Sequence, residues 1–593
     1  MHRFYFLKGS FVRVGRLSPC SSKHIYVNSL TTRTKVFSSL ATKDTRRGAT
    51  SAVSFDLNDA HNTTHTTKNP VPNFEDPRIA FDTKSTKELF RAGLAFGLCQ
   101  ITPLVHRAES LLRITRKVCG DRITDSLLKA TLFGHFCAGE NIQQVKQVAK
   151  NMQEAANIGS ILDYAAEDDG QADSVHGKQT KAKSKLEELA ETVLVENHPK
   201  VRTYVYVDEA ECDKHTQTFV SCIRDASKLQ EGAYAAIKVS ALVDPKLLAR
   251  MSRAVVELQN LFLKFDTDQN GFVTKEEFQM GVDLFFDPTV DTYMRNIAEQ
   301  IDLEVSDGMV DYVTWSKLLR PEDLPQVTRG CRSIGPLAIA TPSEEELVLM
   351  ARLRERIHSV AKEAAEHNVR LLVDAEQNLY QPAIDSFVLD LEREFNDPSK
   401  TDFPIIYNTY QCYLKDSEKR LAMDLERSER MGYHFGAKLV RGAYMESERE
   451  LALKLGYPSP IHDTIEDTHI SYDNSVRYLL EQSVKEGRKT NLEFMLASHN
   501  QESIQRAVSV MNELGIDRRD PVICFAQLYG MMDHVTYALG KLEYRAFKYV
   551  PYGEVKLAMP YLIRRANENS AIAGGASREL GKLTTELKRR IFG

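Results

Sequence analysis

Eight short runs of β-branched and aromatic residues follow one another along the chain, and most of them precede an amphipathic run of helical period. Strands that are buried on both faces appear as nearly continuous apolar runs, and in parallel sheets they alternate with helices. The pattern therefore predicts a parallel α/β fold. The eight runs cover residues 201–210, 234–242, 369–377, 403–413, 434–445, 492–500, 522–531 and 545–553.

The number of strand-helix units favours one α/β architecture over another. Eight units are the number that closes a TIM-like (β/α)8 barrel. A doubly wound sheet is the alternative, but no Gly-x-Gly-x-x-Gly motif follows any of the runs. We therefore predict a barrel, with its first two strands in residues 193–242 and the remainder in residues 346–580.

The first 50 residues differ in charge from the rest of the chain. They contain ten Lys and Arg and one acidic residue, Asp44, a formal charge of +9. The whole chain has a formal net charge of −5, so the remaining residues carry −14 (−5 minus +9). This composition predicts a mitochondrial transit peptide over residues 1–45, with a disordered basic tail as the alternative. The acidic remainder gives no electrostatic reason to bind nucleic acid.

Composition also divides the rest of the chain. Residues 46–73 are polar and predict a linker, residues 74–165 have helical periodicity and predict a helical arm, and residues 166–192 predict a disordered linker. Residues 581–593 are expected to form a C-terminal tail. No uncharged apolar run is long enough to cross a bilayer.

The long interval between the second and third strands, residues 243–345, contains the motif "FDTDQNGFVTKEEF". It matches an EF-hand loop, in which ligands stand at positions 1, 3, 5, 7, 9 and 12 and a glycine stands at position 6. We predict an inserted EF-hand-like helical domain that binds Ca²⁺, with a folded, metal-free loop as the alternative. The predicted ligands are Asp266, Asp268, Asn270, Phe272 (through its carbonyl), Thr274 and Glu277.

A second loop at residues 301–315 is expected to pair with the first. When Gly308 is aligned with the loop glycine, Leu303, Val305 and Thr314 fall at ligand positions 1, 3 and 12. Those side chains do not chelate Ca²⁺ as carboxylates do, so the second loop is predicted to have a structural role.

Catalytic residues of such barrels lie at the carboxyl ends of the strands. At these ends, and on the helix after the last strand, the sequence has several cations and fewer carboxylates, a composition that predicts an anionic ligand. No nucleophile with a base, metal triad or phosphate loop accompanies them, so the site is expected to use a cofactor. The candidates are Lys238, Asp374, Gln411, Lys438, Arg441, Tyr444, Ser498, His499, Asn500, Gln527, Leu528, Tyr549, Arg564, Arg565 and Glu568.

The pair Arg564 and Arg565 has a simpler explanation. With Glu568 at helical spacing, it also matches a solvated helix face with one weak ion pair. Its position after the last strand favours the interpretation in which the two guanidinium groups face the strand ends and Glu568 orients them.

The motifs "IKVSAL", "VDAEQ", "KLVRGAYM", "ASHN", "KYVPYGEV" and "YLIRRANEN" occur in this order. Together they closely resemble the proline dehydrogenase family over roughly residues 80–580. The resemblance implies a distorted (β/α)8 barrel with FAD across the strand ends. It implies oxidation of L-proline to Δ1-pyrroline-5-carboxylate by hydride transfer to flavin N5, with electrons passed to ubiquinone. It further implies a matrix enzyme, peripheral to the inner mitochondrial membrane.

The resemblance also implies roles for individual residues. Lys238, Arg564 and Arg565 would bind the substrate carboxylate, Asp374 would belong to an ion-pair network beside Lys238, and Tyr549 would pack over the proline ring. Leu528 and Tyr444 would lie near that ring. The residues that would line FAD are Gln411, Lys438, Arg441, Ser498, His499, Asn500 and Gln527.

One departure from the family and three alternative functions accompany this prediction. Lys438 and Arg441 stand where many bacterial members have the two cations in reverse order, so the residue that contacts N5 stays open. Hydroxyproline dehydrogenases resemble the family but have a smaller residue at Tyr549, so tyrosine favours proline. A flavin barrel acting on folates is the second alternative function, and a calcium-sensing scaffold with an inactive barrel is the third. An oligomer is possible.

Overall fold

Eight parallel strands close into a barrel in the computed structural model, which describes residues 68–164, 206–304, 309–571 and 575–593. Around the barrel the order is β1-β10-β9-β8-β7-β6-β5-β2, and β2 pairs with β1 again. The barrel strands are β1 Ile158–Tyr164, β2 Tyr234–Ile237, β5 Arg370–Val373, β6 Ile406–Gln411, β7 Phe435–Val440, β8 Leu492–Ala497, β9 Ile523–Leu528 and β10 Ala546–Tyr552. Two further strands, β3 Phe272–Thr274 and β4 Met309–Asp311, form a separate ribbon.

The helices surround the barrel, form the N-terminal arm and build the insertion. Their bounds are α1 Pro77–Phe81, α2 Thr86–Cys99, α3 Thr102–His106, α4 Ala108–Cys119, α5 Asp121–Ala130, α6 Leu132–Phe136, α7 Ile142–Ala156, α8 Glu209–Ser227, α9 Pro245–Phe265, α10 Lys275–Phe285, α11 Tyr293–Glu304, α12 Tyr312–Leu318, α13 Leu324–Arg329, α14 Pro336–Ala340, α15 Glu344–Glu366, α16 Gln381–Phe395, α17 Ser417–Met431, α18 Met445–Leu455, α19 Ile465–Ser483, α20 Gln501–Leu514, α21 Asp533–Lys541, α22 Met559–Ala571 and α23 Gly575–Phe592.

The barrel interior is filled by side chains from alternate positions of the strands, as period-two alternation requires. Ile161, Tyr234, Leu372 and Met495 belong to one buried cluster inside it. Towards the amino ends of the strands, Arg370 donates two hydrogen bonds of 2.9 Å to the buried carboxylate of Glu493. The lower part of the barrel is therefore a packed core, and only the carboxyl ends are left for a site.

The first barrel strand is not where the sequence placed it. Residues 201–205 lie outside the described part of the chain, residues 206–208 form no strand, and Glu209 begins α8. The strand is instead β1, in the segment predicted to complete the helical arm. Its apolar residues, Ile158, Ile161 and Leu162, are spaced as in a helix, so periodicity pointed to the wrong element. Asn157, at a positive φ of 54°, ends α7 directly before it.

The other seven predicted strands are confirmed, and two described segments, one in the predicted linker and one in the predicted tail, have defined contacts. Asn69, in the predicted linker, is buried and donates to the Ile516 carbonyl at 2.7 Å. The predicted tail belongs to α23, which packs against α2 of the arm. The predicted transit peptide, residues 46–67 of the linker and the predicted disordered linker lie outside the described residues.

The insertion between β2 and β5 contains two helix-loop-helix units. Helices α9 and α10 flank the first loop and helices α11 and α12 flank the second, of which residues 305–308 lie outside the description. Strands β3 and β4, one from each loop, pair antiparallel with Val273 opposite Val310. Trp315 is buried in the core of the insertion, and its indole donates to the Leu258 carbonyl at 3.1 Å.

None of the helices in the described parts of the chain combines the length and the apolar character that a membrane span needs.

Candidate active site

Three side chains from different strands meet at the centre of the barrel's carboxyl end. Asp374 follows β5, and its carboxylate accepts a hydrogen bond of 2.6 Å from the Lys438 ammonium and one of 3.0 Å from the Tyr549 hydroxyl. The ammonium also lies 5.1 Å from the centroid of the Tyr549 ring. The lysine and aspartate side chains are 8% and 15% exposed, so this ion pair is shielded from water.

The strands bring these three residues together by alternation. Lys438 is on β7, two residues after Gly436, and Tyr549 is on β10, two residues after Phe547 of the interior cluster. Asp374 directly follows β5, two residues after the interior residue Leu372. Each side chain therefore points towards the barrel interior. The carboxylate of Asp374 is thus paired with Lys438, and its predicted ion-pair network beside Lys238 stays a prediction.

Arg441, just after β7, is held by neutral groups. Its guanidinium donates to Nδ1 of His469 at 3.0 Å, to Oγ of Ser498 at 2.6 Å and to Oγ of Ser503 at 2.9 Å, and it stacks on the Tyr472 ring at 4.3 Å. Among the described residues it forms no ion pair. Its position is thus fixed while its charge stays uncompensated, which suits an anionic ligand.

A chain of hydrogen bonds links His499 to a buried cation. The Leu528 amide donates to Nε2 of His499 at 3.1 Å, and the Leu528 carbonyl accepts from the Lys548 ammonium at 3.3 Å. Burial, Lys548, Arg565 and Arg441 lower the pKa of His499 to about 3. The imidazole is therefore neutral at physiological pH, chiefly because it is buried and secondarily because cations lie near it.

Helix α22 follows β10 and carries the paired arginines. Arg565 is 8% exposed and its guanidinium lies 5.1 Å from the centroid of the Tyr561 ring, while Arg564 is half-buried. The helix packs against α2, α3 and α6 of the arm. A solvated helix face is therefore wrong for Arg565. The side chain of Glu568 lies outside the described residues, so its orienting role stays a prediction.

Lys238 and Gln411 lie at neighbouring strand ends. Lys238 directly follows β2 and is half-buried. Burial raises the pKa of Glu376 above its ordinary value, and the hydrogen bonds from Ser240 and the charge of Lys238 offset only part of that rise. The Gln411 amide is buried and donates to the Glu376 carbonyl at 2.8 Å. Both side chains thus belong to the same rim as Asp374.

The remaining predicted residues have structural contacts of their own. The Asn500 side chain accepts from the Ser503 amide and caps α20. Gln527 accepts from the Thr536 hydroxyl at 2.7 Å on the outer side of β9. Tyr444 precedes α18 and is half-buried. These contacts neither require nor exclude a ligand, so the roles of these three residues stay predictions.

The first loop of the insertion gathers three carboxylates whose oxygens can lie within 4.8 Å of one another, from Asp266, Asp268 and Glu277. Asp266 accepts from the amides of Asn270 and Gly271 at 3.0 Å, and Gly271 has a φ of 90°. The two Glu277 oxygens accept from Thr267 and Thr274. The loop is therefore folded back around its acidic residues, with the predicted glycine at the sharp turn.

Comparison with known proteins identifies the family. The profile of the family described as proline dehydrogenase matches residues 145–578. Proline dehydrogenase 1, mitochondrial, of Homo sapiens is 35% identical over 559 residues, which cover 88% of this chain and 90% of that protein. The chain belongs to the proline dehydrogenase family. Its Caenorhabditis elegans relative of the same name is 35% identical over 551 residues, 87% of this chain and 88% of that protein.

Relatives with a second name are also similar to the chain. Hydroxyproline dehydrogenase of Rattus norvegicus is 30% identical over 514 residues, which cover 87% of this chain and 93% of that protein. The proline dehydrogenase family is a family of oxidoreductases and is in general FAD-dependent. Membership therefore establishes the type of enzyme and leaves the choice between the two substrates to the residues of the site.

Sequence reasoning missed four residues of this site. His469 and Ser503 orient Arg441, Tyr472 stacks beneath it, and Lys548, which pairs with Asp533 at 2.9 Å, lies beside Leu528. Three of them are on helices α19 and α20, where a rule that considers only strand ends does not look. Lys548 directly precedes the predicted residue Tyr549, but it was not predicted because its side chain points to the outer side of β10.

Proposed function

We propose that the protein oxidises L-proline to Δ1-pyrroline-5-carboxylate with FAD as its cofactor. The observation that carries the proposal is the cluster of Asp374, Lys438 and Tyr549 at the centre of the barrel mouth, with Arg565 on the helix that follows β10. This cluster combines an aromatic ring with fixed cations, which suits a small substrate that has an apolar ring and a carboxylate.

The residues of the strand ends fit FAD by their donor chemistry. Flavin and diphosphate present hydrogen-bond acceptors and negative charge. Arg441 and Gln411 have hydrogen-bond donors, and Arg441 also has an uncompensated positive charge. Arg441 is rigidly held, so the position of its charge is set before any ligand binds. When bound, FAD supplies the two-electron acceptor for the hydride. Lys438, Ser498 and His499 complete the proposed lining.

Lys238, Arg564 and Arg565 are proposed to bind the proline carboxylate. Guanidinium groups can bind a carboxylate through two parallel hydrogen bonds, which fixes orientation as well as position. Because Arg565 is buried, its interaction with the carboxylate is screened little by water. Two anchored oxygens and a packed ring hold the substrate in one orientation, which is the main contribution a protein can make to hydride transfer.

Tyr549 is proposed to contact the proline ring, with Asp374 keeping it in place. The hydrogen bond of the Tyr549 hydroxyl to Asp374 and the pairing of Lys438 with the same carboxylate fix the ring plane. The Asp374 carboxylate also balances the charge of Lys438, whose ammonium lies 5.1 Å from the centroid of the Tyr549 ring. The ring face and Leu528 supply apolar contact near the reacting carbon.

The test of this function measures the product and the cofactor together. Purified protein is expected to carry flavin and to reduce an artificial acceptor when L-proline is added, with Δ1-pyrroline-5-carboxylate trapped by o-aminobenzaldehyde. Protein that holds no flavin after reconstitution with FAD would contradict the proposal and would favour the calcium-sensing scaffold. Flavin that is reduced by a reduced folate and not by proline would favour the barrel acting on folates.

Hydroxyproline is the second candidate substrate, because relatives named hydroxyproline dehydrogenase share 30% identity with the chain. A hydroxyl on the ring needs space and a hydrogen-bond partner. Tyr549 occupies that space, and its own hydroxyl is already bonded to Asp374. We therefore propose that proline is the preferred substrate.

We further propose that the enzyme acts in the mitochondrial matrix, peripheral to the inner membrane, with ubiquinone as electron acceptor. The relatives from Homo sapiens and Caenorhabditis elegans are named mitochondrial, and the basic, acid-poor residues 1–45 support the same location. A fusion of residues 1–50 to a fluorescent protein is expected to enter mitochondria. Diffuse fluorescence would contradict this assignment.

Ca²⁺ binding is a separate proposal for the first loop of the insertion. Asp266, Asp268, Asn270, Thr274 and Glu277 would bind it through side chains, and the Phe272 carbonyl would complete the set. The support is the three gathered carboxylates and the ribbon that joins this loop to the second loop. Bound calcium would stabilise the insertion and through it the attachment of α9 to the barrel.

A further inference from the structure

Exposed apolar side chains are concentrated in one part of the N-terminal arm. Of 24 large apolar side chains that are exposed in the described residues, eight lie between Phe90 and Leu127. Isolated exposed apolar residues are normal on a soluble protein, but a concentration of them marks an interaction surface. The eight are Phe90, Leu94, Ile101, Leu111, Ile114, Val118, Ile123 and Leu127.

Helix α4 has an apolar stripe that faces away from the protein. Leu111, Ile114 and Val118 recur at helical spacing and are 38%, 59% and 77% exposed. No residue of α4 is buried, and only Leu112 reaches the neighbouring core cluster. A helix with a coherent apolar face and no buried residue gains little from packing on its own protein, so that face is expected to have another partner.

The charges beside the stripe are basic. Residues 107–129 contain six Lys and Arg and three acidic residues, in a chain whose formal net charge is −5. Asp121 and Asp125 pair with Arg116, whereas Arg113 and Lys117 are exposed and form no ion pair within the described residues. These two stand four residues apart along one flank of the stripe, as snorkelling side chains do.

The surface lies beside the helix that closes the active site. Helix α22, with Arg564 and Arg565, packs against α2, α3 and α6 of the arm. Lys556, just before α22, pairs with Asp121 at the start of α5 at 2.8 Å. A partner that meets α4 and α5 is therefore close to the barrel mouth.

We propose that α4, through Leu111, Ile114 and Val118 with Arg113 and Lys117, docks the protein on an anionic lipid bilayer. An apolar helix face with basic flanks matches such a bilayer, because the stripe can be buried among the acyl chains while the cations interact with the anionic headgroups. The arrangement lets the barrel mouth lie near an acceptor dissolved in the bilayer. The proposal deepens the membrane part of the proposed function and rests on it.

The test is vesicle binding by the full-length, flavin-loaded protein. Vesicles of phosphatidylcholine with cardiolipin are compared with vesicles of phosphatidylcholine alone, by flotation. The variant Ile114→Glu/Val118→Glu is compared with Val348→Glu/Val484→Glu, which adds the same charges at exposed apolar positions outside the arm. Turnover with a soluble acceptor and light scattering without lipid show whether each variant is folded and whether its oligomeric state has changed.

The proposal predicts that the parent binds cardiolipin vesicles and that the α4 variant loses affinity by about tenfold or more. The control variant should bind as the parent does, and all three should turn over equally with the soluble acceptor. Arg113→Gln/Lys117→Gln should weaken binding by roughly fivefold for each charge and reduce its dependence on salt.

Three results would overturn the docking surface. If the parent and the α4 variant bind vesicles equally, the bilayer meets another face and only the location of docking is wrong. If α4 substitution leaves vesicle binding intact and changes the molar mass in solution, the stripe is a contact between copies of the chain. A parent that binds no vesicles would also contradict the membrane part of the proposed function, while its turnover would test the chemistry independently.

Discussion

The Tyr549 hydroxyl donates to the Asp374 carboxylate at 3.0 Å, although the two residues are separated by 175 positions in the chain. The same carboxylate accepts from Lys438 at 2.6 Å, so an aromatic ring and a cation share one anion at the barrel mouth. In the proposed function this arrangement sets the face that the substrate ring meets, and both neighbours depend on Asp374 for this contact.

Asp374→Asn is expected to destabilise the protein and impair proline binding. The substitution leaves the Lys438 ammonium, 8% exposed, without its counter-ion, and breaking such a buried pair costs about 3 kcal/mol. Denaturant unfolding should show a corresponding fall in the free energy of unfolding. Asp402→Asn, at an exposed position, is the matched control. Equal stability of Asp374→Asn and the control would show that the pair does not contribute.

Tyr549→Ser is expected to change the substrate preference. Loss of the ring removes apolar contact with proline and opens space for a ring hydroxyl, so the ratio of kcat/KM for L-proline to that for trans-4-hydroxy-L-proline should fall by about tenfold or more. Tyr549→Phe keeps the ring, loses the hydrogen bond to Asp374 and should retain the preference. A ratio that serine does not alter would argue against a contact between this ring and the substrate.

Arg565→Ala is expected to raise the KM for proline while flavin stays bound. A buried charge-assisted hydrogen bond contributes about 2 kcal/mol, so kcat/KM should fall roughly thirtyfold. Arg564→Ala should act in the same direction. Arg506→Ala, on an exposed face of α20, is the control. Near-normal proline kinetics in both α22 variants would show that the two arginines do not bind the substrate and have only a structural role.

Much of the barrel was predictable because strands buried on both faces have a distinct sequence signature. The runs around Leu372, Phe494 and Phe525 are mostly apolar, and each became a strand. β1 was missed because Ile158, Ile161 and Leu162 have helical spacing and follow a real helix. Its assignment depends on pairing with β10 and β2, which local periodicity does not contain.

The site shows the same division. The rule that function lies at the carboxyl ends of strands identified Asp374, Lys438 and Tyr549 as candidates, but which cation pairs with Asp374 depends on the geometry of the closed barrel. His469 and Ser503 were not predictable, because they act on Arg441 from helices that the strand-end rule leaves out.

Stability is expected to fall as pH rises through neutrality because of Glu579. This carboxyl, on α23, accepts from the amides of Met532 and Asp533, and burial raises its pKa from 4.5 to about 7. Since the folded pKa is the higher one, the contribution is fully present below pH 4.5 and is lost as pH rises through 7. At about 1.4 kcal/mol per pKa unit, the loss amounts to a few kcal/mol.

The measurement is denaturant unfolding between pH 5.5 and pH 8, in parent and Glu579→Gln. Glutamine does not ionise, so the variant should lose less stability over this range, whatever its stability at pH 5.5. Equal pH slopes in the two proteins would mean that Glu579 titrates normally.

Calcium is expected to stabilise the parent and not Glu277→Gln. A ligand that binds only the folded state stabilises it by about 2.7 kcal/mol at one hundred times its Kd, so unfolding with Ca²⁺ and with chelator should differ. Glu277 is buried against the loop, whereas its neighbour Glu276 is exposed, which makes Glu276→Gln the control. No calcium effect on the parent in calorimetry or unfolding would exclude metal binding at this loop.

Anaerobic titration of the flavin-loaded protein tests the central claim most directly, because it joins cofactor, reaction and substrate in one signal. L-proline is expected to bleach the flavin absorbance fully, trans-4-hydroxy-L-proline is expected to do so only at much higher concentration, and Arg565→Ala is expected to shift the proline titration in the same way. A flavin that proline does not reduce, or a variant that titrates like the parent, would contradict the assignment of this barrel mouth as the site of proline oxidation.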